Sequence, residues 1–298
     1  MAGNASKSGN WLHNESDASN STSGTVRLVA SQPRRVVQSA ASPGYARTLL
    51  PGLLFVLGMT AIVEIAARLG WLTSYVPPPS VIARALVVGL ANGEISSEVG
   101  MTLIAFAEGL VLAATLAIVI GVLMGAIPVI YDALKVIVEF LRPVPSVAMI
   151  PLAILFLGLG TQMRVAVITY AAFWPLLIST LYGVRAVDPV ALDTARNFGI
   201  PPFEALYRVT LPAALVNIAT GLRVSASIAL VVTVTTELVA GNSGLGFYVA
   251  QMEQASRLPQ MYAAILLTGV LGYLINLGFS LLEKKVIFWS PASRGETQ

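Results

Sequence analysis

The sequence predicts an all-α integral membrane protein with about six transmembrane helices, and three observations support this prediction. Hydrophobic residues make up 56% of the 298 residues, charged residues make up only 11%, and the mean hydropathy is +0.77. A soluble domain has about a quarter charged residues, so much of the surface of this chain must face lipid. The apolar residues also form blocks of about 20 residues, the helix length that crosses the hydrocarbon core of a bilayer.

The chain divides into a polar tail, a membrane domain and a second short tail. Residues 1–47 are rich in Ser, Asn and Gly without apolar periodicity, which predicts a disordered polar tail. The membrane domain covers 48–287, and residues 288–298 form the C-terminal tail. Six apolar stretches lie in the domain, at 49–69, 101–129, 136–159, 165–184, 213–239 and 261–282. We expect helices here, because strands of a membrane barrel are shorter and alternate with polar residues.

A short helix is predicted between the first two stretches. The connection contains a proline run at 75–80, and Ser80 can cap a helix at 81–91 whose apolar residues fall on one face. This helix either lies along the membrane surface or packs on the outer side of the domain, and both interpretations stay open.

Basic residues indicate the side of the membrane on which each connection lies. With the N-terminus inside, fourteen of the 18 Lys and Arg residues fall in inside segments. The four outside are Arg68, Arg84, Arg164 and Arg257. The positive-inside rule therefore predicts that both termini are cytoplasmic.

Composition argues against several classes of function. The chain has no cysteine and its single histidine, His13, lies in the polar tail, which argues against a metal site and against thiol or imidazole catalysis. The basic residues behind the net charge of +3 are scattered, so no nucleic-acid partner is expected. No phosphate-binding glycine motif and no nucleophile–base pair is visible, so we expect neither an enzyme nor a cofactor bound by this chain.

The most informative segment is the inside loop at 186–212, between the fourth and fifth stretches. Asp188 is a favourable N-cap and Pro189 occupies the first helical position, so a short helix begins here. Gly199 supplies the left-handed residue that ends this helix. The pattern predicts a short helix followed by a sharp turn.

A second short helix is predicted to begin after this turn. Pro201 and Pro202 start it, it runs to about residue 209, and Pro212 opens the fifth membrane span. In the first helix, small residues recur every four positions at Ala191, Ala195 and Gly199. They form a smooth stripe, against which another protein is expected to pack closely.

This loop resembles the hallmark cytoplasmic loop of the permease subunits of bacterial ABC importers. The family loop reads Glu-Ala-Ala, three residues, Gly, nine residues, then Ile-x-Leu-Pro. Here Asp193-Thr194-Ala195 is followed after three residues by Gly199, and after nine more by Val209-Thr210-Leu211-Pro212. The spacing is the same, with Asp for Glu, Thr for the first Ala and Val for Ile.

In that family the loop forms coupling helices that sit in a cleft of the ATPase subunit and transmit its closure to the pore. The resemblance therefore implies an ATPase-coupling loop that includes Asp193, Ala195, Arg196, Gly199, Leu211 and Pro212.

Other segments, over roughly residues 70–285, resemble the nitrate, sulfonate and taurine branch of these permeases, which also includes bicarbonate permeases. The matching segments are Leu-Thr-Ser-Tyr-Val-Pro-Pro-Pro-Ser at 72–80, Leu-Arg-Pro-Val-Pro-Ser at 141–146, Gly-Val-Arg-Ala-Val-Asp-Pro at 183–189 and Glu-Leu-Val-Ala-Gly-Asn-Ser-Gly-Leu-Gly at 237–246. Their order along one chain makes the resemblance specific.

The resemblance implies a type I importer permease fold and a subunit that forms the translocation path for a small anion such as nitrate, sulfonate or taurine, or bicarbonate. The implied partners are a second permease copy, two cytoplasmic ATPase subunits that bind ATP and Mg²⁺, and an extracytoplasmic substrate-binding protein. The implied location is the bacterial cytoplasmic membrane. No basic residue lies deep in a predicted span, so the cargo stays open, and small aromatic acids or a thiamine-precursor pyrimidine are alternatives.

Acidic and hydroxyl residues inside the spans are candidates for the translocation path or its outer gate, because polar groups are costly in lipid. They are Glu64, Glu108, Glu237, Thr233 and Thr236. A structural hydrogen bond is the alternative for Glu237, and threonine is also common in ordinary membrane helices.

Two further patterns concern helix packing. Gly121 and Gly125 predict close contact of the second span with another helix. Pro143, Pro145 and Pro151 predict a break near the start of the third span, which is either a gating kink or a static bend.

An ATPase-independent secondary transporter or channel is the alternative function. Such a protein would need ionisable residues paired at mid-membrane, or inverted repeats. Neither is visible in the sequence, and this alternative assigns no role to the loop at 189–212.

Overall fold

The computed structural model describes residues 45–73 and 75–286, which fold into helices joined by short connections. The eleven α-helices of this part of the chain are α1 Tyr45–Arg68, α2 Pro79–Ala91, α3 Glu94–Ala126, α4 Pro128–Leu141, α5 Ile150–Leu157, α6 Thr161–Arg185, α7 Pro189–Asn197, α8 Pro202–Ala205, α9 Leu211–Ala240, α10 Leu245–Gln254 and α11 Leu258–Val286. The tails predicted at 1–47 and 288–298 lie outside the described residues, apart from residues 45–47. A compact unit begins at Leu53, and the contacts below belong to it.

Five of these helices are long and apolar enough to cross a membrane, and a bent pair makes up to a sixth. The five spans contain α1, α3, α6, α9 and α11, and the bent pair joins α4 to the segment Ser146–Leu157. The prediction of an all-α membrane protein with about six spans is confirmed.

The third predicted span, 136–159, contains the break that its prolines predict and is not one continuous helix. The two parts of the bent pair meet at 89° across residues 142–145. Pro143 and Pro145 lie in this break, and Pro151 lies in the first turn of α5. Proline lacks the amide hydrogen and clashes with the preceding turn, so the helix cannot continue through this segment.

Helices α3, α6 and α9 form the centre of the bundle, and glycines let them approach closely. A Cβ atom on Gly109 would lie 2.5 Å from Ile168 of α6. One on Gly121 would lie 2.8 Å from Thr180, and one on Gly125 would lie 2.6 Å from Val184. The predicted close packing at Gly121 and Gly125 is confirmed, and α6 is the partner helix.

Helix α2 packs against the bundle at the end where α3 begins. Ile82 is buried, and a Cβ atom on Gly89 would lie 2.4 Å from the Ile95 side chain of α3. The predicted cap at Ser80 is wrong, because the helix begins at Pro79. The Ser80 amide and hydroxyl instead donate hydrogen bonds to Glu64 of α1, at 2.9 and 2.7 Å.

Large apolar surfaces remain outside the bundle. The most apolar segments of α1 and α11 bury no residue within the chain. Side chains such as Phe55 and Tyr273 are 72% and 67% exposed. These surfaces must therefore be covered by lipid or by another membrane subunit.

The glycine contacts generate a stability prediction. We expect Gly121→Ala to lower the free energy of unfolding by about 1–3 kcal/mol, because the new methyl group overlaps the Thr180 side chain. It would also lie 3.1 Å from the Leu177 carbonyl oxygen, which cannot rotate away. Gly100→Ala is the matched control on the same helix, because no heavy atom lies within 4 Å of its Cβ position. Thermal unfolding in detergent measures both, and equal stabilities would contradict the packing account.

Candidate functional site

The loop that the sequence singles out folds as predicted at its first helix. The Asp188 carboxylate accepts a hydrogen bond from the Val190 amide at 2.8 Å, and Pro189 occupies the first turn of α7. At the other end Gly199 has φ +73°, its amide donates to the Arg196 carbonyl, and the Ile200 amide donates to the Ala195 carbonyl. This pair of hydrogen bonds is a Schellman motif, so the predicted cap and the predicted turn are both confirmed.

The second short helix differs from the prediction at its C-terminal end. Helix α8 passes through a π-helical turn at Leu206–Thr210 directly into α9. Pro212 lies in the first turn of α9, as predicted, and no break separates this turn from the π turn before it. The wider π turn explains this, because the Leu211 amide bonds back to the Leu206 carbonyl and leaves room for the proline ring.

We name the segment 189–209 the hairpin, and three of its large exposed side chains are aromatic. Phe198 is 81% exposed, Phe203 83% and Tyr207 70%. The remaining exposed surface carries two ion pairs at 2.9 Å, of which one joins Asp193 to Arg196. Aromatic side chains on a polar surface are typical of a protein interface.

The predicted stripe of small residues faces outward only in part, because Gly199 is exposed and Ala191 is half-buried. Ala195 is only 5% exposed, so it packs against its own chain and is not available to another protein. The buried side of α7 lies towards the ends of α3 and α6, and Leu192 is on this side. A cavity of about 440 Å³ lies there, lined by Leu192, Gly125 and Val184 among others. The stripe interpretation is therefore wrong for Ala195, and the aromatic residues form the outer face of the hairpin.

Glu237 lies at the other end of the bundle and is fully buried. Its Oε2 accepts hydrogen bonds from the Thr102 hydroxyl at 2.9 Å and from the Gly246 amide at 3.0 Å. Arg164 of α6, also buried, places Nη1 3.7 Å from Glu237 Oε1. A buried cation in the first turn of a helix is unfavourable, so the nearby carboxylate compensates the charge of Arg164.

The glycine-rich turn at 241–246 is held in place by this buried network. Arg164 donates to the Ser243 carbonyl at 3.1 Å, and the Gly244 amide donates to the Glu98 carboxylate. Gly244 has φ +99°, and a Cβ atom there would lie 2.2 Å from the Glu237 carboxyl group. Only glycine fits, so turn and carboxylate are packed as one unit.

The other path candidates are not brought together with Glu237 around an open channel. Thr233 and Thr236 are fully buried and donate to carbonyls of their own helix, at 2.7 and 2.8 Å. Glu108 is exposed on α3. Glu64 bonds to Ser80 and Arg68 near the start of α2. The arrangement favours the structural alternative for Glu237.

Sequence reasoning missed three members of the Glu237 network. In the sequence, Arg164 indicated only the side of the membrane on which its segment lies. No motif or periodic pattern marked Glu98 or Thr102 as functional residues. Their partners lie 79 to 146 positions away in the chain, so no local pattern could have revealed them. The packing of α3, α6 and α9 brings them together.

Comparison with known proteins places the chain in a family. Its residues 109–288 match the family described as binding-protein-dependent transport system inner membrane component. The chain is 31% identical over 247 residues to the permease protein SsuC of Bacillus subtilis, named for aliphatic sulfonates transport, covering 83% of this chain and 90% of SsuC. It is 30% identical over 226 residues to the taurine transport system permease protein TauC of Escherichia coli, covering 74% and 81%.

A solved structure shows the same fold. An inward-facing conformation of the MetNI methionine ABC transporter superposes with a TM-score of 0.56 at 19% identity, over 64% of this chain and 95% of that one. The apolar helices, the hairpin motif and these relatives agree. This multi-pass membrane protein therefore belongs to the permease subunits of binding-protein-dependent ABC importers.

Proposed function

We propose that this chain forms the translocation path of an importer for a small anion, and that a separate ATPase subunit drives it through the hairpin. The single observation that carries the proposal is the aromatic outer face of the hairpin, held rigid by the capped turn at Gly199. Three large aromatic side chains exposed at 70% or more are unfavourable in water. A partner that covers them would gain that burial on binding.

The hairpin is connected to the spans in a way that suits force transmission. It continues into α9 without a break, through the π turn at Leu206–Thr210. Helix α9 packs against α6 and reaches the Glu237 network at its far end. A displacement of the hairpin by the ATPase would therefore act on the helix that holds the outer turn.

The proposed partners follow from the exposed apolar faces of two helices and from the distribution of basic residues. The unburied apolar faces of α1 and α11 support a second permease copy, since the spans of one chain are too few to enclose a path. Two ATPase subunits, each holding ATP and Mg²⁺, would dock on the two hairpins. We place the hairpin and both termini in the cytoplasm, on the strength of the basic residues in those segments.

The outer turn at 241–246 is the proposed contact for the extracytoplasmic binding protein. The network of Glu237, Arg164 and Glu98 holds this turn in one conformation. A preformed surface loses less conformational freedom when a partner docks on it.

The proposed cargo is a small anion. Two relatives are named for aliphatic sulfonates and for taurine. Nitrate and bicarbonate stay within the same proposal because they are also small oxyanions, and the binding protein would choose among them.

A secondary transporter remains the weaker candidate. The buried pair of Arg164 and Glu237 is the kind of pairing that such a protein would use, but it lies at the ends of α6 and α9 and not at mid-membrane. The pair is also locked to a turn by direct hydrogen bonds. It is better explained as a structural clamp.

Association with an ATPase tests the proposal. We expect the tagged chain, isolated from its native membrane in mild detergent, to co-purify with a subunit that hydrolyses Mg²⁺-ATP. Phe203→Ser should lower the recovered ATPase at least about tenfold, because truncating a central aromatic anchor costs about 2 kcal/mol or more. Trp71→Ser is the matched control, because Trp71 is 79% exposed at the other end of the bundle.

A second pair of variants separates backbone geometry from side-chain contact. Gly199→Val should also lose the ATPase, because a β-branched residue is strained at φ +73°. Gly199→Asn should retain it, because asparagine tolerates this conformation. Normal ATPase recovery with Phe203→Ser and Gly199→Val would count against the coupling role.

The Glu237 network generates a separate prediction. Glu237→Ala leaves Arg164 buried without a counter-charge, so we expect a loss of about 3–5 kcal/mol in the free energy of unfolding. Glu237→Gln keeps an acceptor for Thr102 and Gly246 and should lose less. Glu108→Ala, at an exposed site on α3, is the control and should change stability by no more than about 0.5 kcal/mol. Thermal unfolding in detergent measures all three, and a Glu237→Ala variant as stable as the parent would refute the structural role.

A further inference from the structure

A polar cavity lies at the break between α4 and α5. It has a volume of about 410 Å³, is open on one side and is bordered by this break together with α6 and α9. Its polar lining consists of Arg142, Ser146, Tyr170, Trp174 and Ser179. This volume lies in the range of small-molecule binding sites.

The cavity lies halfway along the membrane-spanning helices. Trp174 is at the middle of α6, and the lining residue Ile228 is near the middle of α9. The Tyr170 hydroxyl donates to the Leu141 carbonyl at 2.7 Å, which fixes the end of α4 at this level. The sequence suggested that no basic residue lies deep in a span. The 89° bend changes this, because it brings Arg142 to mid-depth.

The cavity presents hydrogen-bond donors that have no protein acceptor. Trp174 Nε1 is buried and unpaired within the described residues. Arg142 forms no ion pair with any described carboxylate. Because the indole nitrogen has almost no accessible surface, an oxygen atom entering the cavity can reach the Arg142 guanidinium and the Ser146 and Ser179 hydroxyls but not this N–H.

The charge around the cavity is positive. None of its lining residues is acidic. The adjoining cavity, which Arg142 also lines, contains Lys135 and Glu139. Lys135 pairs with Asp132 at 2.7 Å, and Arg142 is the basic residue among the lining residues of the mid-membrane cavity. The carbonyl end of α4 is a weaker, partial negative charge.

We infer that this cavity binds a small oxyanion through the Arg142 guanidinium, with the Ser146 and Ser179 hydroxyls as further donors and the Trp174 ring as part of the wall. Carboxylate, sulfonate, nitrate and bicarbonate all present two or more oxygens that fit the planar fork of arginine. Arg142 is exposed, so an anion can reach its guanidinium. That the anion is the transported cargo rests on the proposed function.

Tryptophan fluorescence of Trp174 tests the site directly. The other three tryptophans, Trp11, Trp71 and Trp289, are replaced by phenylalanine. The purified chain in nanodiscs is then titrated with choline methanesulfonate, and choline chloride at equal ionic strength serves as the reference. We expect a saturable change in emission that chloride does not produce.

Two charge variants in this background localise the effect. Arg142→Gln should weaken methanesulfonate binding at least about tenfold, because a charge-assisted contact is lost. Lys135→Gln removes the same charge from the adjoining cavity and should leave the affinity within about twofold. Size-exclusion elution and helical circular dichroism confirm that both variants are folded.

Two results would overturn the inference: no saturable change with methanesulfonate, nitrate or bicarbonate in the parent background, or equal affinity in the parent and Arg142→Gln. The ATPase co-purification experiment tests the proposed function independently of the anion site. A chain that binds methanesulfonate but recruits no ATPase would keep the anion site and remove the importer proposal, and the reverse outcome would remove only the anion site.

Discussion

The close approach of α3, α6 and α9 is the constraint on which the rest of this structure depends. At Gly109, Gly121 and Gly221, a methyl group would lie within 2.9 Å of a side chain of α6. Contact at this distance leaves the three helices little freedom to shift past one another. The bundle can therefore place polar groups accurately at both of its ends and at mid-depth, although lipid supplies no hydrophobic force between helices.

Helix α9 links the two ends. It runs for 30 residues, about 45 Å at 1.5 Å per residue, from the hairpin to the Glu237 network. The hairpin offers aromatic side chains to a partner, while Glu237 and Arg164 lock the turn at the opposite end. The bend beside Pro143 opens the donor-lined cavity between them. Helix α9 thus contacts the hairpin, the cavity and the Glu237 network.

The sequence predicted what local chemistry determines. Apolar length identified the spans, and Asp188 and Gly199 marked the ends of α7, because caps and left-handed turns depend on a few neighbouring residues. Prediction from the sequence failed where segments that are distant in the chain come into contact. The inward rotation of Ala195 depends on the ends of α3 and α6, and the pairing of Arg164 with Glu237 joins residues 73 positions apart. The prolines indicated a break, but they did not indicate its 89° angle.

The side of the membrane on which the hairpin lies tests the central claim most directly. The chain contains no cysteine, so Phe198→Cys introduces a single thiol, at a position that is 81% exposed. A membrane-impermeant maleimide should fail to label it in spheroplasts and should label it in inverted vesicles, more strongly after the ATPase has been stripped off. Trp71→Cys should show the opposite sidedness. Labelling of Phe198→Cys from outside the cell would contradict the account.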